Sequence, residues 1–232
     1  MDLCVERHRH AGRLAAGALD RRRPSGRRHA GRPAGRGGAA ARSRRPGRGG
    51  LALAGPETAR VVISLVHTAH LGPHGLADVR DLCGLAFDDY DDATFQHALG
   101  GTHALVRHDN VLVAHGAVVL RRLCIGGRWL RCGWIESVAT HPGHRGRGYA
   151  HTVMAALETL APGYEVMGLC ASDVGRSLYS SRGWILWRGP ASVLSPDGVR
   201  PTPDEDSIYV QTRRPVDFDG PIVCDWREGE VW

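Results

Sequence analysis

One stretch, Trp134 to Leu160, commits the chain to a single local architecture. A β-type segment, Trp134–Ala139, carries Glu136 and stops at His141-Pro142. A turn of Gly and Arg follows, and Gly148–Leu160 then places Val153, Met154, Ala156, Leu157 and Leu160 at helical spacing. A strand, a glycine-rich loop and a helix in this order are suited to holding an anion. Successive N–H groups from Arg145, Gly146, Arg147, Gly148, Tyr149 and Ala150 can converge on phosphate-like oxygens, and Gly146 and Gly148 carry no Cβ to hold a ligand off. The helix dipole and the two guanidinium groups add positive charge at the same place. The bland alternative is a glycine-rich helix start on the surface.

The flanking sequence predicts mixed α/β structure: a mostly antiparallel sheet with flanking helices. Val61–Val66 reads as a strand and Gly72–Phe87 as a helix with Leu76, Val79, Leu82 and Cys83 on one side. After the acidic turn Asp88–Asp92, Thr94–Leu99 reads as a short helix stopped by Gly100-Gly101. Two hairpins follow. One turns at Asp109-Asn110 between His103–Arg107 and Val111–Leu123, the other at Gly126-Gly127 into Arg128–Ala139. Beyond the central helix the pattern predicts strands at Tyr164–Leu169, Trp184–Trp187, Ala191–Leu194 and Ile208–Gln211, with a helix around Val174–Ser181. No internal repeat is present.

Composition separates two unlike regions. The 232 residues carry a net charge of +6, but residues 1–50 hold 14 Arg against Asp2, Glu6 and Asp20 alone. The other 182 residues hold 16 Arg against 21 acids. The part able to build a core is therefore acidic, which attracts cations and repels nucleic acid. Residues 1–58, rich in Arg, Gly and Ala, cannot offset the entropy of ordering and are expected to be disordered, with the folded domain at 59–232. A nucleic-acid- or membrane-binding arm, a passive tail and translated upstream DNA all remain readings of that extension. Six cysteines form no C-x-x-C pair and no zinc-spaced cluster with histidine. No run is long enough to span a membrane. A reduced, cytoplasmic protein without a metal is expected.

The spacing Arg145-x-x-Gly148-x-Ala150 after an apolar strand bearing an acid resembles the acetyl-CoA loop of the Gcn5-related N-acetyltransferases (GNAT). Further stretches resemble the aminoglycoside 2'-N-acetyltransferases within that superfamily: His97–Ala104, Leu130–Glu136, Leu178–Trp184 and Cys224–Trp232. The resemblance spans about Val61 to the C-terminus. It implies the GNAT fold, acetyl-CoA as acetyl donor, a cationic aminoglycoside or amino sugar as acceptor, and a homodimer. It places the pyrophosphate on Arg145–Gly148 and the pantetheine arm along the backbone of Val138, Ala139 and Thr140. Tyr179 matches the tyrosine that protonates the departing thiolate in many members; packing of a helix tyrosine on the sheet is the alternative. Glu136 would relay the proton of the attacking amine through a water, unless it merely pairs with Arg131 or Arg121. Asp89, Glu136, Glu205, Asp206, Glu230 and Trp232 would meet the acceptor, with the terminal carboxylate facing it. Thr94, Phe95, Cys170 and Glu230 depart from the residues expected of the family at their positions.

Two other readings compete with an antibiotic-modifying enzyme. One keeps the acetyltransferase but gives it a cellular amine, such as an envelope amino sugar or a thiol precursor. The other is a nucleic-acid- or partner-binding protein led by the basic arm, with a vestigial domain, against which the intact loop, Glu136 and Tyr179 speak.

Overall fold

The computed structural model describes residues 60–203 and 205–232, so the reading of residues 1–58 as a disordered extension lies outside the described residues, as does Asp204. The described chain opens with strand β1 (Val61–His67) and helix α1 (Gly72–Ala86), then the short helix α2 (Asp92–His97). An antiparallel run of β2 (Thr102–His108), β3 (Val111–Ile125) and β4 (Arg128–Thr140) follows. Both of its turns place two consecutive residues at positive φ, Asp109-Asn110 and Gly126-Gly127, as two-residue hairpins require. Helix α3 (Tyr149–Glu158) crosses over to β5 (Val166–Cys170), which runs parallel to β4. Helix α4 (Arg176–Ser181) leads to β6 (Ile185–Leu186), β7 (Ala191–Ser195), β8 (Gly198–Pro201), β9 (Ile208–Gln211) and β10 (Ile222–Asp225).

Among the described residues all ten strands belong to one sheet, with β4/β5 and β10/β7 parallel and the other pairs antiparallel. The expected mixed, mostly antiparallel sheet with flanking helices is what forms. The long strand β3 organises it. One edge pairs with β4 along most of its length, while the other is shared between β2 at Val111–Val118 and β10 at Leu123–Ile125.

Helices cover both faces. Ala104 and Val106 of β2 pack in one cluster with Val153, Met154 and Leu157 of α3. Leu105, between them in sequence, packs in another with Val79, Leu82 and Cys83 of α1. Alternating side chains of one strand thus serve two cores.

The structure departs from the sequence reading at three points. Val174–Ser181 divides into a 3-10 turn, Asp173–Gly175, and α4 proper. The Trp184–Trp187 strand shrinks to Ile185–Leu186 because both tryptophan rings turn inward, Nε1 of Trp184 bonding Glu158 and Nε1 of Trp187 bonding the Gly220 carbonyl. Strands β8 and β10 were not foreseen. Ile222–Asp225 is too short to show a period, and it becomes a strand because β3 and β7 each offer it an edge.

Gly168 on β5 fixes the spacing beneath the site. A Cβ there would stand 2.6 Å from the ring of Trp134, which is 1% exposed and has no room to retreat. Gly168→Ala is expected to cost about 1–3 kcal/mol of stability through overpacking. Gly163→Ala, where a Cβ meets nothing within 4 Å, should stay within about 0.5 kcal/mol. Urea unfolding of the two variants checks this, and equal midpoints would contradict it.

Candidate active site

Strands β4 and β5 pair from Cys132–Val166 to Trp134–Gly168 and then part. Beyond that point β5 keeps its pairing with β9 through Cys170–Ile208, and β4 keeps its pairing with β3. Among the described residues no strand takes the other edge of β4 from Ile135 to Thr140. A bulge lies at the same place. Ala117 faces Glu136 and His115 faces Ala139, so Ser137 and Val138 stand opposite the single residue Gly116. Ser137 is left-handed at φ 52, which is a conformation that costs a residue with a Cβ about 1 kcal/mol. Two side chains from other elements hold it. Nδ1 of His115 lies 3.0 Å from its carbonyl and Oη of Tyr90 lies 2.9 Å from its Oγ.

The parted strands open onto a cavity of about 720 Å³. Glu136, Ser137 and Val138 line it from β4, Cys170 from β5 and Tyr179 from α4. Thr202 and Glu205 enter from the loop after β8, and Arg227, Glu230, Val231 and Trp232 from the end of the chain. Three carboxylates, Glu136, Glu205 and Glu230, face one guanidinium, Arg227, so the charged side chains of the lining favour cations.

Glu136 is largely buried and pairs with Arg227, neither with Arg131 nor with Arg121. Arg121 instead grips Asp225 and the Val231 carbonyl, and the Arg131 backbone N–H donates to Glu165. Arg227 also donates to the Glu230 carbonyl at 2.7 Å and to the main-chain oxygen of Trp232 at 2.6 Å. The last residues of the chain are thereby clipped onto β4. Trp232 is not a free ring: it is 6% exposed, donates from Nε1 to Thr202 at 2.9 Å and lies 5.9 Å from the Trp134 ring.

Tyr179 packs against Trp184 and Tyr209, and burial pushes its phenol up to about 12, so it stays protonated through neutral pH. Burial raises the Cys170 thiol as well, which keeps it neutral beside Glu205.

The loop after β4 has the conformation its glycines imply. Gly146 and Gly148 lie at φ 74 and 79, and a Cβ on either would meet nothing within 4 Å. Backbone handedness, not space, is what asks for glycine here. Gly148 caps α3, whose first intrahelical bond from Thr152 leaves the N–H groups of Tyr149, Ala150 and His151 without helical partners. Arg147 is exposed, and Arg145 is exposed with one bond to the Ala86 carbonyl.

The cavity gathers Glu136, Val138, Tyr179, Glu205, Glu230 and Trp232 of the residues singled out in sequence. Asp89 and Asp206 are not among its lining residues; Asp89 is exposed, and Asp206 is exposed and paired with Arg176. Ala139 packs with the α1 core, and Thr140 ends the strand. Of the departures, Thr94 lines the cavity and bonds Asp91, while the Phe95 ring belongs to the core.

Residues 73–186 match a family model described as an acetyltransferase (GNAT) domain. The chain is 43% identical over 195 residues to the aminoglycoside 2'-N-acetyltransferase of Mycolicibacterium fortuitum, covering 81% of this chain and 96% of that one. The chain belongs to the aminoglycoside 2'-N-acetyltransferase family of GNAT enzymes. A GNAT family N-acetyltransferase of Escherichia coli, YhbS, solved in complex with CoA, shares the fold. Its TM-score is 0.52 at 18% identity, with 73% of this chain and 91% of that one covered.

For an acetyltransferase of this family, sequence reading missed two features. Arg227 was visible in Cys-Asp-Trp-Arg, but nothing local says that it reaches Glu136, 91 residues away. His103 and His115 each looked like one residue of a strand. In the fold they are fully buried and bonded, Nδ1 of His103 to Nε2 of His115 at 2.9 Å.

Burial pushes both imidazoles down, His103 to about 4 and His115 to about 3, from an ordinary 6.5. Below pH 6.5 the unfolded chain takes up protons that the folded pair refuses. Their contribution to stability is therefore complete above about pH 6.5 and is lost as pH falls toward 4. The thermal midpoint should drop between pH 6.5 and 5, and His115→Gln should flatten that drop. Identical slopes in the two proteins would show that the pair is not held neutral.

Proposed function

We propose that the protein transfers the acetyl group of acetyl-CoA to the 2'-amine of aminoglycoside antibiotics and so confers resistance to them. One observation carries this reading: a carboxylate and a protonated tyrosine line one acid-rich cavity where β4 leaves β5. The chain's own residues fit the donor. Backbone amides of Val138, Ala139 and Thr140 on the unpaired edge suit the amide-rich pantetheine arm, as an added strand would. The free N–H groups at the start of α3, with Arg145 and Arg147, suit the pyrophosphate. When bound, acetyl-CoA supplies an activated thioester.

Glu136 offers one oxygen to Arg227 and keeps the other for a water. Through that water it takes the proton shed as the acceptor nitrogen bonds to the acetyl carbon. Tyr179 gives its proton to the sulfur as the carbon–sulfur bond breaks. Glu205 and Glu230 draw in the remaining ammonium groups of a polycation. We place the enzyme in the cytoplasm, as a homodimer.

Glu136→Gln should lower kcat by about 10²-fold or more, in the range of a lost general base, and change acetyl-CoA affinity little. Tyr179→Phe should lower kcat about tenfold or more by the same logic. The deciding assay follows free-thiol release with acetyl-CoA and two aminoglycosides that differ only in a 2'-amine or a 2'-hydroxyl. Turnover confined to the 2'-amine supports the assignment. Acetyl-CoA binding without turnover of either drug would move the acceptor to a cellular amine.

A further inference from the structure

The bonds around Ser137 extend much further than the site. His115 Nδ1 faces the Ser137 carbonyl at 3.0 Å, and its Nε2 faces His103 Nδ1 at 2.9 Å. His103 Nε2 faces Thr68 Oγ1 at 2.7 Å, and Thr68 Oγ1 accepts from the Gly100 amide at 3.0 Å. A carbonyl only accepts, so His115 carries its proton on Nδ1 and accepts on Nε2. His103 must then carry its proton on Nδ1 and accept at Nε2 from the threonine hydroxyl. One arrangement of protons satisfies all four ring nitrogens with both rings neutral. The Thr68 hydroxyl gives its single proton to His103 at 2.7 Å, and the Gly101 carbonyl, 3.1 Å from the same oxygen, is met by the Thr68 amide at 2.9 Å. The chain runs one way, from the Gly100 amide across β2 and β3 to β4.

It ends on no ordinary ladder position. It ends on the left-handed residue of the bulge, between Glu136 and the unpaired edge at Val138–Thr140. Side chains alternate along a strand, so relaxing the bulge to regular pairing would turn every residue beyond it to the other face. Val138 would then leave the cluster it shares with α3, Ala139 would leave the one it shares with α1, and the main-chain groups now at the free edge would turn toward β3.

We propose that His103 and His115 are positioning residues for acetyl transfer: their one-way hydrogen-bond chain fixes the Ser137 carbonyl, and with it the bulge next to Glu136 that sets the free edge of β4 for the pantetheine arm. This rests on the roles given above to Glu136 and that edge.

Two polar substitutions separate positioning from core filling. The amide of His115→Asn sits where Nδ1 was and can still donate to Ser137, but it cannot reach His103. The amide of His115→Gln sits where Nε2 was and does the opposite. Acetyl-CoA binding by calorimetry, with steady-state kinetics on the full chain, reads the difference. His115→Asn should bind acetyl-CoA within about threefold of the unchanged protein, and His115→Gln about tenfold more weakly with kcat reduced alike, as one lost buried bond predicts. Adding Ser137→Gly to His115→Gln should recover acetyl-CoA affinity, because glycine holds a positive φ unaided. Equal affinities for the Asn and Gln proteins, or no recovery with Ser137→Gly, would overturn the proposal and leave a buried pair that only fills the core. If the unchanged protein bound no acetyl-CoA, the role of the β4 edge would fall, and the proposal with it.

Discussion

The site exists because β4 and β5 stop pairing after Trp134 and Gly168. A strand edge inside a folded domain is costly, since each unpaired amide or carbonyl forfeits a bond that water or a partner must replace. Here the cost is confined to one side of Ile135–Thr140, and the parting is enforced from below and above. Below it, the Trp134 ring lies over Gly168, whose missing Cβ lets the two strands close to pairing distance. Above it, the bulge at Ser137 turns β4 while β5 continues along β9. The gap is thus continuous with the sheet and inherits its rigidity, which suits a reaction that depends on holding two reactants in register.

The end of the chain completes what the parted strands begin. Strand β10 fills the space between β3 and β7 and delivers Asp225 to Arg121, a residue only 4% exposed. A cation so deeply buried is tolerable only when its donors are met, and Asp225 and the Val231 carbonyl meet them. Its distance of 5.4 Å from the Trp134 ring ties this clamp to the floor of the site. The sequence that fastens the terminus to the sheet is therefore the one that carries Arg227, Glu230 and Trp232 into the cavity.

Legibility followed the range of each interaction. The loop Arg145–Ala150 and both hairpin turns were readable, because handedness and capping are settled within a few residues. Helix α1 and helix α3 were readable from apolar period alone. Glu136 and Tyr179 came to notice through their neighbours in sequence and through family resemblance. Asp89 and Asp206 stood in acidic runs, yet a run of charge says nothing about direction, and both ended outside the lining. What stayed hidden was made by pairing distant segments: β10 in its slot, Arg227 on Glu136, and the imidazole chain. In each case the partner chosen depends on strand register, which no local pattern encodes.

Arg227 also bears on what such a site can select. An ammonium arriving at Glu136 meets a carboxylate that already has a charged, hydrogen-bonded partner, so the first contact exchanges one cation for another and gains little. Net attraction has to come from Glu205 and Glu230, which no arginine side chain occupies among the described residues. A monoamine has one charge to offer and would be spent on the exchange. On the reading proposed above, an acceptor with several amines reaches the further carboxylates while its reacting nitrogen approaches Glu136. The internal ion pair then acts as a filter for polycations, because it removes the advantage of a single charge without reducing that of several.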